Sequence, residues 1–504
     1  YPMSFSRVYS AQPHMLKGVV VTIETDLSRG LHAFSIVGLG DKAVDEAKDR
    51  VSSAIKNSGI KSPKSENQKI VVSLSPADMR KEGTYFDVGI ALGYLLANED
   101  LAFESEGKLF VGELALDGTV RPTRGVLPLI ETAKKSGFTE VFVPKENETE
   151  AALVEGISVY GISSLKELIK HLTDNKEEPF TIEPTPQTEI SFGATEHSLD
   201  FCDVKGQAMA KRGLEIAAAG GHNISMYGPP GTGKTMLAKL FTTILPNLSK
   251  EEVLEITGIH SIAGTTNGNL VTKPPFRSPH HTSSYVSLIG GGSTPKPGEV
   301  TLAHRGVLFL DEFPEFEKRV LESLRQPLED RMVTVSRAKG TAVFPTNFIL
   351  ISAMNPPEKD ATFIEKLRQK KKISGPIMDR IDMWVEVSEI DYEKLGSGEQ
   401  EGEKSSEIKS RVRLARNIQK KRFQGGKRQT NNEMNVRELH RHAPLKEETK
   451  QILNQSAEKL SLSARAYHRV IKLARTIADL DKKGDIESGH ILEALQYRPK
   501  DLFE

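Results

Sequence analysis

The sequence holds one cysteine, Cys202, among 504 residues. A lone thiol forms no disulfide within the chain, which excludes a disulfide-stapled scaffold and fits a reducing compartment. Net charge is also lacking, since 68 Lys and Arg balance 68 Asp and Glu. A neutral chain exerts no global pull on DNA or on an anionic membrane, so any nucleic-acid contact has to come from a local patch. No apolar run approaches the roughly 20 residues of a membrane span. The run "VGIALGYLLA" (88–97) is about half that long. The first residues, "YPMSFSRVYS", lack the basic and apolar regions of a signal peptide, and Tyr1-Pro2 ahead of Met3 reads as an artificial addition. Internal repeats are absent. These absences leave a soluble cytoplasmic protein with no membrane partner as the expectation, and the length calls for roughly two to four domains.

What is present divides the chain. Residues 174–198, "DNKEEPFTIEPTPQTEISFGATEHS", are rich in Pro, Thr and Glu and read as a linker. Before it, in 1–173, strand-like runs such as "KGVVVTIE", "KIVVSLS", "KLFVGELAL" and "EVFVP" alternate with helical stretches such as "AVDEAKDRVSSAIKNS", which predicts an α/β domain. After it, 199–392 carries "NISMYG", "GVLFLDE" and "NFILISAMN", near-continuously apolar as parallel strands covered on both faces must be. A polar connector and helix (393–430) lead to an all-helical end (431–504), where "LSARAYHRVIKLARTIADL" places Ala464, Val470, Ile471, Leu473, Ala474 and Ile477 broadly on one face.

The densest chemistry lies in "GPPGTGKT", Gly228-Pro229-Pro230-Gly231-Thr232-Gly233-Lys234-Thr235, with a strand before it and a helix after it. Such a loop turns its amides inward as a nest for phosphate oxygens, and the helix N-terminus adds positive potential. Lys234 is placed to reach the β- and γ-phosphates of ATP, and the Thr235 hydroxyl to hold Mg²⁺. About eighty residues on, "GVLFLDEF" ends a strand in Asp311 and Glu312. At that edge Asp311 fits a Mg²⁺ contact and Glu312 a base that polarises the attacking water. Asn355, closing "FILISAMN", suits either a hydrogen bond to that water or a turn before Pro356. Arg380, in "GPIMDRID", suits either half of a surface ion pair or an arginine offered to a neighbouring subunit's nucleotide. Arg465, in "SARAYHR", is a further candidate phosphate contact on a lid.

With these motifs in order the chain resembles the magnesium-chelatase-like branch of the AAA+ ATPases, and within it the ComM/YifB-type family. The resemblance spans nearly the whole chain and is most specific in "DVKGQAMAKRGLEIAAAGGHN", "PFRSPHHTSS", "GGGSTPKPGEVTLAHRGVLFLDEFPEF", "RQPLEDRMVTVSRAKGTAVFP" and "SGPIMDRID". It implies an AAA+ core with a parallel sheet, a helical lid, and an N-terminal domain like the proteolytic domain of Lon. It makes Asn355 the sensor-1 residue, Arg380 the arginine finger and Arg465 the sensor-2 residue, and it places Val204, in "DVKGQ", by the adenine pocket. It further implies a homo-hexameric ring with ATP at subunit junctions. That ring would drive branch migration of branched or single-stranded DNA during natural transformation, with recombination proteins as partners.

Two departures from the family pattern stand out. Tyr85 and Leu127 occupy the positions of the Lon serine and lysine, and a phenol and an isobutyl group make no activated nucleophile. The stretch after Asn355, where relatives carry several cysteines, reads "PPEKDATFIEKLRQKKKI" and has none.

For DNA, "MVTVSRAKGTAVF" (332–344) reads as a hairpin whose turn carries Arg337 and Lys339; residue chemistry alone favours an ordinary solvated tip, and the resemblance favours a DNA contact. The charge run "EKLRQKKK" (365–372) is a second candidate. His280-His281 and His304 lack metal-ligand spacing and read as structural or interface residues, and Gly290–Gly292 as part of an insert that repositions with nucleotide. Two other functions stay open: a chelatase-type motor that remodels a protein partner for metal insertion, and an ATP-dependent protease.

Overall fold

Alternating apolar and polar residues draw Phe5–His14 (β1) and Lys17–Arg29 (β2) into an antiparallel hairpin closed by Met15-Leu16, with Val8, Val21 and Ile23 turned into the core. Ala33–Val37 (β3) and Gln68–Ser75 (β4) complete a four-stranded sheet ordered β1-β2-β4-β3, in which only the β3–β4 pair is parallel. Ala47–Asn57 (α1) and Asp87–Ala97 (α2) flank it. The apolar run seen in the sequence is α2, buried on nearly every side. A helix apolar all round belongs inside a core, and here it does. Lys108–Phe110 (β5), Glu140–Pro144 (β6) and Ser158–Ile162 (β7) form a smaller parallel sheet, beside which runs Val126–Lys135 (α3). Phe110, Phe142 and Tyr160 stand in register on its strands, their rings stacked at 4.8 and 4.9 Å.

The computed structural model describes residues 5–173, 179–190, 192, 199–266, 269–292, 295–337, 340–356, 375–388, 402–424, 426 and 428–499. The chain makes two units: Tyr1–Ser191 with Ser249–Thr272, and Phe192–Leu248 with Lys273–Glu504. The mid-chain piece gives the first unit a helix, Lys250–Ala263, capped reciprocally by Ser249 and Glu252. It is tied to the start of α3 by the Gly125 amide, which donates to Ser261 Oγ at 2.9 Å. Among the described residues, no helix is long and apolar enough to cross a membrane.

The second unit is built on Ile224–Tyr227 (β8), Phe276–Arg277 (β9), Val307–Leu310 (β10), Ile349–Met354 (β11) and Met383–Glu386 (β12), all parallel and ordered β9-β10-β11-β8-β12. Ile224, Met226, Val307, Phe309, Ile351, Ala353, Met383 and Val385 share one buried core with Ala208–Gly220 (α4) and Lys234–Ile244 (α5), as their continuous apolar character requires. Ser405–Arg422 (α6) and Ala464–Leu480 (α7) belong to a helical C-terminal part. On α7, Val470, Ile471, Leu473, Ala474 and Ile477 are buried, whereas Ala464, its first residue, is exposed. Gly290 and Gly291 are buried and paired with Pro297 and Lys296 in a short antiparallel ladder, so this part of the expected insert is packed. Residues 389–392 at the end of the expected core, and 393–401, 425 and 427 of the connector, lie outside the described residues.

A polar network locks the helical part together. Asp479 is fully buried and accepts from Arg422 at 2.5 and 2.7 Å, from Arg475 at 3.1 Å and from Asn431 at 2.8 Å. Removing one partner of such a cluster strands buried guanidinium charge. Asp479→Ala is therefore expected to cost about 3–5 kcal/mol, read as a lower urea midpoint for the second unit. A loss below about 1 kcal/mol would mean that water reaches and solvates the cluster.

Candidate nucleotide-binding site

Parallel strands carry all their C-terminal ends to one edge, and the loops leaving that edge converge. Gly228 follows β8, Asp311 and Glu312 follow β10, Asn355 follows β11, and Val387 and Ser388 follow β12. The Gly228 amide donates to Met354 O at 3.2 Å, which sets Asn355 beside the loop. Gly228 has no room for a side chain, because a Cβ there would lie 2.1 Å from the Val387 carbonyl oxygen. Gly231 and Gly233 differ. They hold φ of +79° and +88°, and a Cβ on either would meet nothing within 4 Å, so their glycines leave an open cradle in front of the α5 N-terminus.

Lys234 is only 8% exposed, and its ammonium donates to Gly228 O at 2.8 Å and Pro229 O at 2.7 Å. Burial pushes its pKa below the ordinary lysine value, with Asp311 acting in the opposite sense. Thr235 Oγ1 donates to Asp311 Oδ2 at 2.8 Å, so a hydroxyl and a carboxylate 76 positions apart in sequence meet. An open cradle of amides, a buried cation and an oxygen pair fit a triphosphate with a hard divalent ion. Val204 is buried after the Phe201–Asp203 turn, and Gln207 exchanges hydrogen bonds of 2.7 and 3.2 Å with the Ser388 main chain, which holds the 203–207 segment at this same edge.

One contact was not legible in the sequence. Glu312, in the left-handed region at φ 50°, has its carboxylate 3.0 Å from Nδ1 of His281, whose ring lies 4.1 Å from that of His280. His280-His281 follows β9 and Asp311-Glu312 follows the adjacent β10, so the pairing is visible only once strand order is known. His304 is elsewhere, its Nδ1 accepting from the Asn347 amide at 2.9 Å.

Arg380 and Arg465 are not at this edge. The Arg380 carbonyl accepts from the Asn223 side chain at 3.1 Å, and the Asn223 amide donates to Asp382 at 2.9 Å. Asn223 precedes β8 and Asp382 precedes β12, which puts Arg380 at the N-terminal edge of the same sheet. Its guanidinium pairs with Glu329, as one sequence reading allowed, but the pair is no surface contact on the arginine side: Arg380 is 7% exposed there. Arg465 lies 3.6 Å from the same Glu329 carboxylate. The hairpin forms from Met332–Arg337 and Gly340–Pro345, with Val333 and Val335 buried and Val343 exposed. The Arg337 side chain, Lys339 and residues 357–374, with the second basic run, lie outside the described residues.

The parallel sheet, the phosphate loop at its C-terminal edge and the helical C-terminal part together define a magnesium-chelatase-like AAA+ protein. Family models described as "Magnesium chelatase, subunit ChlI", "Subunit ChlI of Mg-chelatase" and "Magnesium chelatase, subunit ChlI C-terminal" match residues 200–395, 23–147 and 402–498. Competence protein ComM of Haemophilus influenzae is 41% identical over 98% of both chains. The uncharacterized protein YifB of Escherichia coli is 40% identical over 99% of this chain and 98% of its own. Lon protease 2 of Bacillus subtilis is 30% identical over a shorter stretch, 27% of this chain and 26% of that protein. The chain belongs to the ComM/YifB-type family of magnesium-chelatase-like AAA+ proteins.

A buried cation held by two carbonyls and the Thr232 hydroxyl, with no carboxylate in contact among the described residues, costs stability. Lys234→Met is expected to raise unfolding stability without ligand by about 1 kcal/mol while abolishing retention of a fluorescent ATP analogue. Retained analogue binding would remove Lys234 from the site.

Proposed function

We propose that this chain is an ATPase that works as a homo-hexameric ring and drives branched or partly single-stranded DNA through its centre during natural transformation. One observation carries the reading. The groups suited to bind and attack a triphosphate stand at one edge of the sheet, and Arg380 and Arg465 stand at the other, so one chain offers two halves of different sites. A nucleotide on one copy then meets the arginines of the next. Within a copy, Lys234 and the loop amides bind the phosphates, Glu312 takes the proton of the attacking water, and Asn355 orients that water. Thr235 and Asp311 would hold Mg²⁺, which when bound neutralises phosphate charge. His281 sets the direction of the Glu312 carboxylate.

The DNA part of the proposal leans on the name of the Haemophilus relative, a competence protein, and on the hairpin between Met332 and Pro345, whose sequence carries Arg337 and Lys339 on a chain neutral overall. A second reading, a motor that remodels a protein partner for metal insertion, draws on the chelatase descriptions of the family models. The near-complete match to a competence protein favours DNA. The protease reading has little to stand on. Tyr85, at the Lon serine position, is a phenol that burial pushes up to about 12, and Leu127, at the lysine position, is a buried side chain with no base to offer.

Strand displacement on forked and four-way DNA, with ATP and with a non-hydrolysable analogue, tests the proposal. The wild type displaces strands only with ATP. Glu312→Gln and Arg380→Ala each lower turnover by about 10²–10⁴-fold and abolish displacement. A protein that hydrolyses ATP, ignores every DNA form and retains a porphyrin-binding partner in pull-downs would shift the reading to the chelatase type.

A further inference from the structure

The cavity at the N-terminal edge of the sheet, about 390 Å³, is lined by six cationic arginine and lysine side chains and four carboxylates. At its mouth one carboxylate faces two of these arginines. Arg380 is buried to 7% exposure behind Glu329, which is itself 46% exposed and stands on the solvent side of the pair. Arg465, 65% exposed, reaches the same carboxylate at 3.6 Å. Arg469 of α7 fixes the main chain around Arg380 from behind: it donates to Ile381 O at 2.7 Å and lies 3.8 Å from Asp379. A phosphate on another molecule cannot contact an Arg380 guanidinium that is covered in this way.

We infer that Glu329 is the resting counter-ion of both arginines, a latch that the triphosphate borne by a second copy must displace before Arg380 and Arg465 act on it. The inference rests on the proposed role of these arginines across the subunit junction. The exchange is electrostatically reasonable. One carboxylate carries a single negative charge, whereas a triphosphate offers several oxygens of higher charge to the same two guanidinium forks. The latch also has a place in the chain that makes it a relay. Glu329 lies in the short helix Arg325–Asp330, and only Asp330 and Arg331, the latter in the left-handed region, separate it from the first hairpin residue, Met332. Movement of the hairpin therefore bears directly on the carboxylate that covers Arg380.

The test is steady-state ATP turnover of the full chain across a protein concentration series, without DNA. Glu329→Gln keeps the shape and removes the charge. Turnover is expected to rise about two- to fivefold, the span given by losing one partly exposed ion pair, and the concentration at half-maximal turnover to fall. Glu329→Asp, which keeps the charge, stays near the wild type, and matching thermal midpoints for all three proteins exclude misfolding as the cause. Unchanged or reduced turnover in folded Glu329→Gln overturns the latch. Arg380→Ala run alongside separates the two claims. Turnover lost there but unmoved in Glu329→Gln removes the latch and leaves the reading of Arg380 standing, whereas turnover unmoved in Arg380→Ala removes both.

Discussion

Strand polarity governs this molecule. Five parallel strands send every C-terminal end one way, and β8, four residues long, separates Asn223 from Gly228 by roughly 16 Å of extended chain. Everything suited to grip a phosphate lies past one end of that strand, and the arginines suited to stabilise its transfer lie before the other. A single chain cannot fold one half over onto the other without breaking the sheet. The separation is thus built into the fold, and assembly is the economical way to join the halves.

Both halves keep charge in places where charge is costly. Lys234 rests on two main-chain carbonyls and Arg380 on a carboxylate, so each buried cation has its partners within the chain. Buried charge of this kind costs stability, and the paired charges around Asp479 add rigidity to the helical part of the same unit. Glu312 follows the same logic. Its backbone is left-handed, and contact with His281 gives its largely exposed carboxylate a partner from the neighbouring strand's loop.

The sequence made the contiguous parts of this plain. Gly228 to Thr235 reads as a loop between strand and helix from its own residues, and Asp311 could be placed because an apolar strand ends just before it. The apolar run at 88–97 was correctly too short to span a membrane, and it became a core helix. Pairings across the sheet were hidden. Strand order is a property of the folded chain, so neither the meeting of His281 with Glu312 nor the shared claim of Arg380 and Arg465 on Glu329 had a local signal. Arg465 was placed by resemblance as the sensor-2 residue, and in the fold it lies beside Glu329, at the opposite edge of the sheet from the phosphate loop. Likewise nothing in the Ser249–Thr272 stretch announces that it packs with the first unit, since its amphipathic helix would serve either core.

The most direct test of a site divided between copies is to mix two inactive proteins. A Lys234→Ala chain keeps its arginines but holds no nucleotide, and an Arg380→Ala chain holds nucleotide but offers no arginine. If neighbours complete each other, the mixture hydrolyses ATP well above the sum of its two components. Turnover in the mixture equal to that sum would show that each chain acts alone.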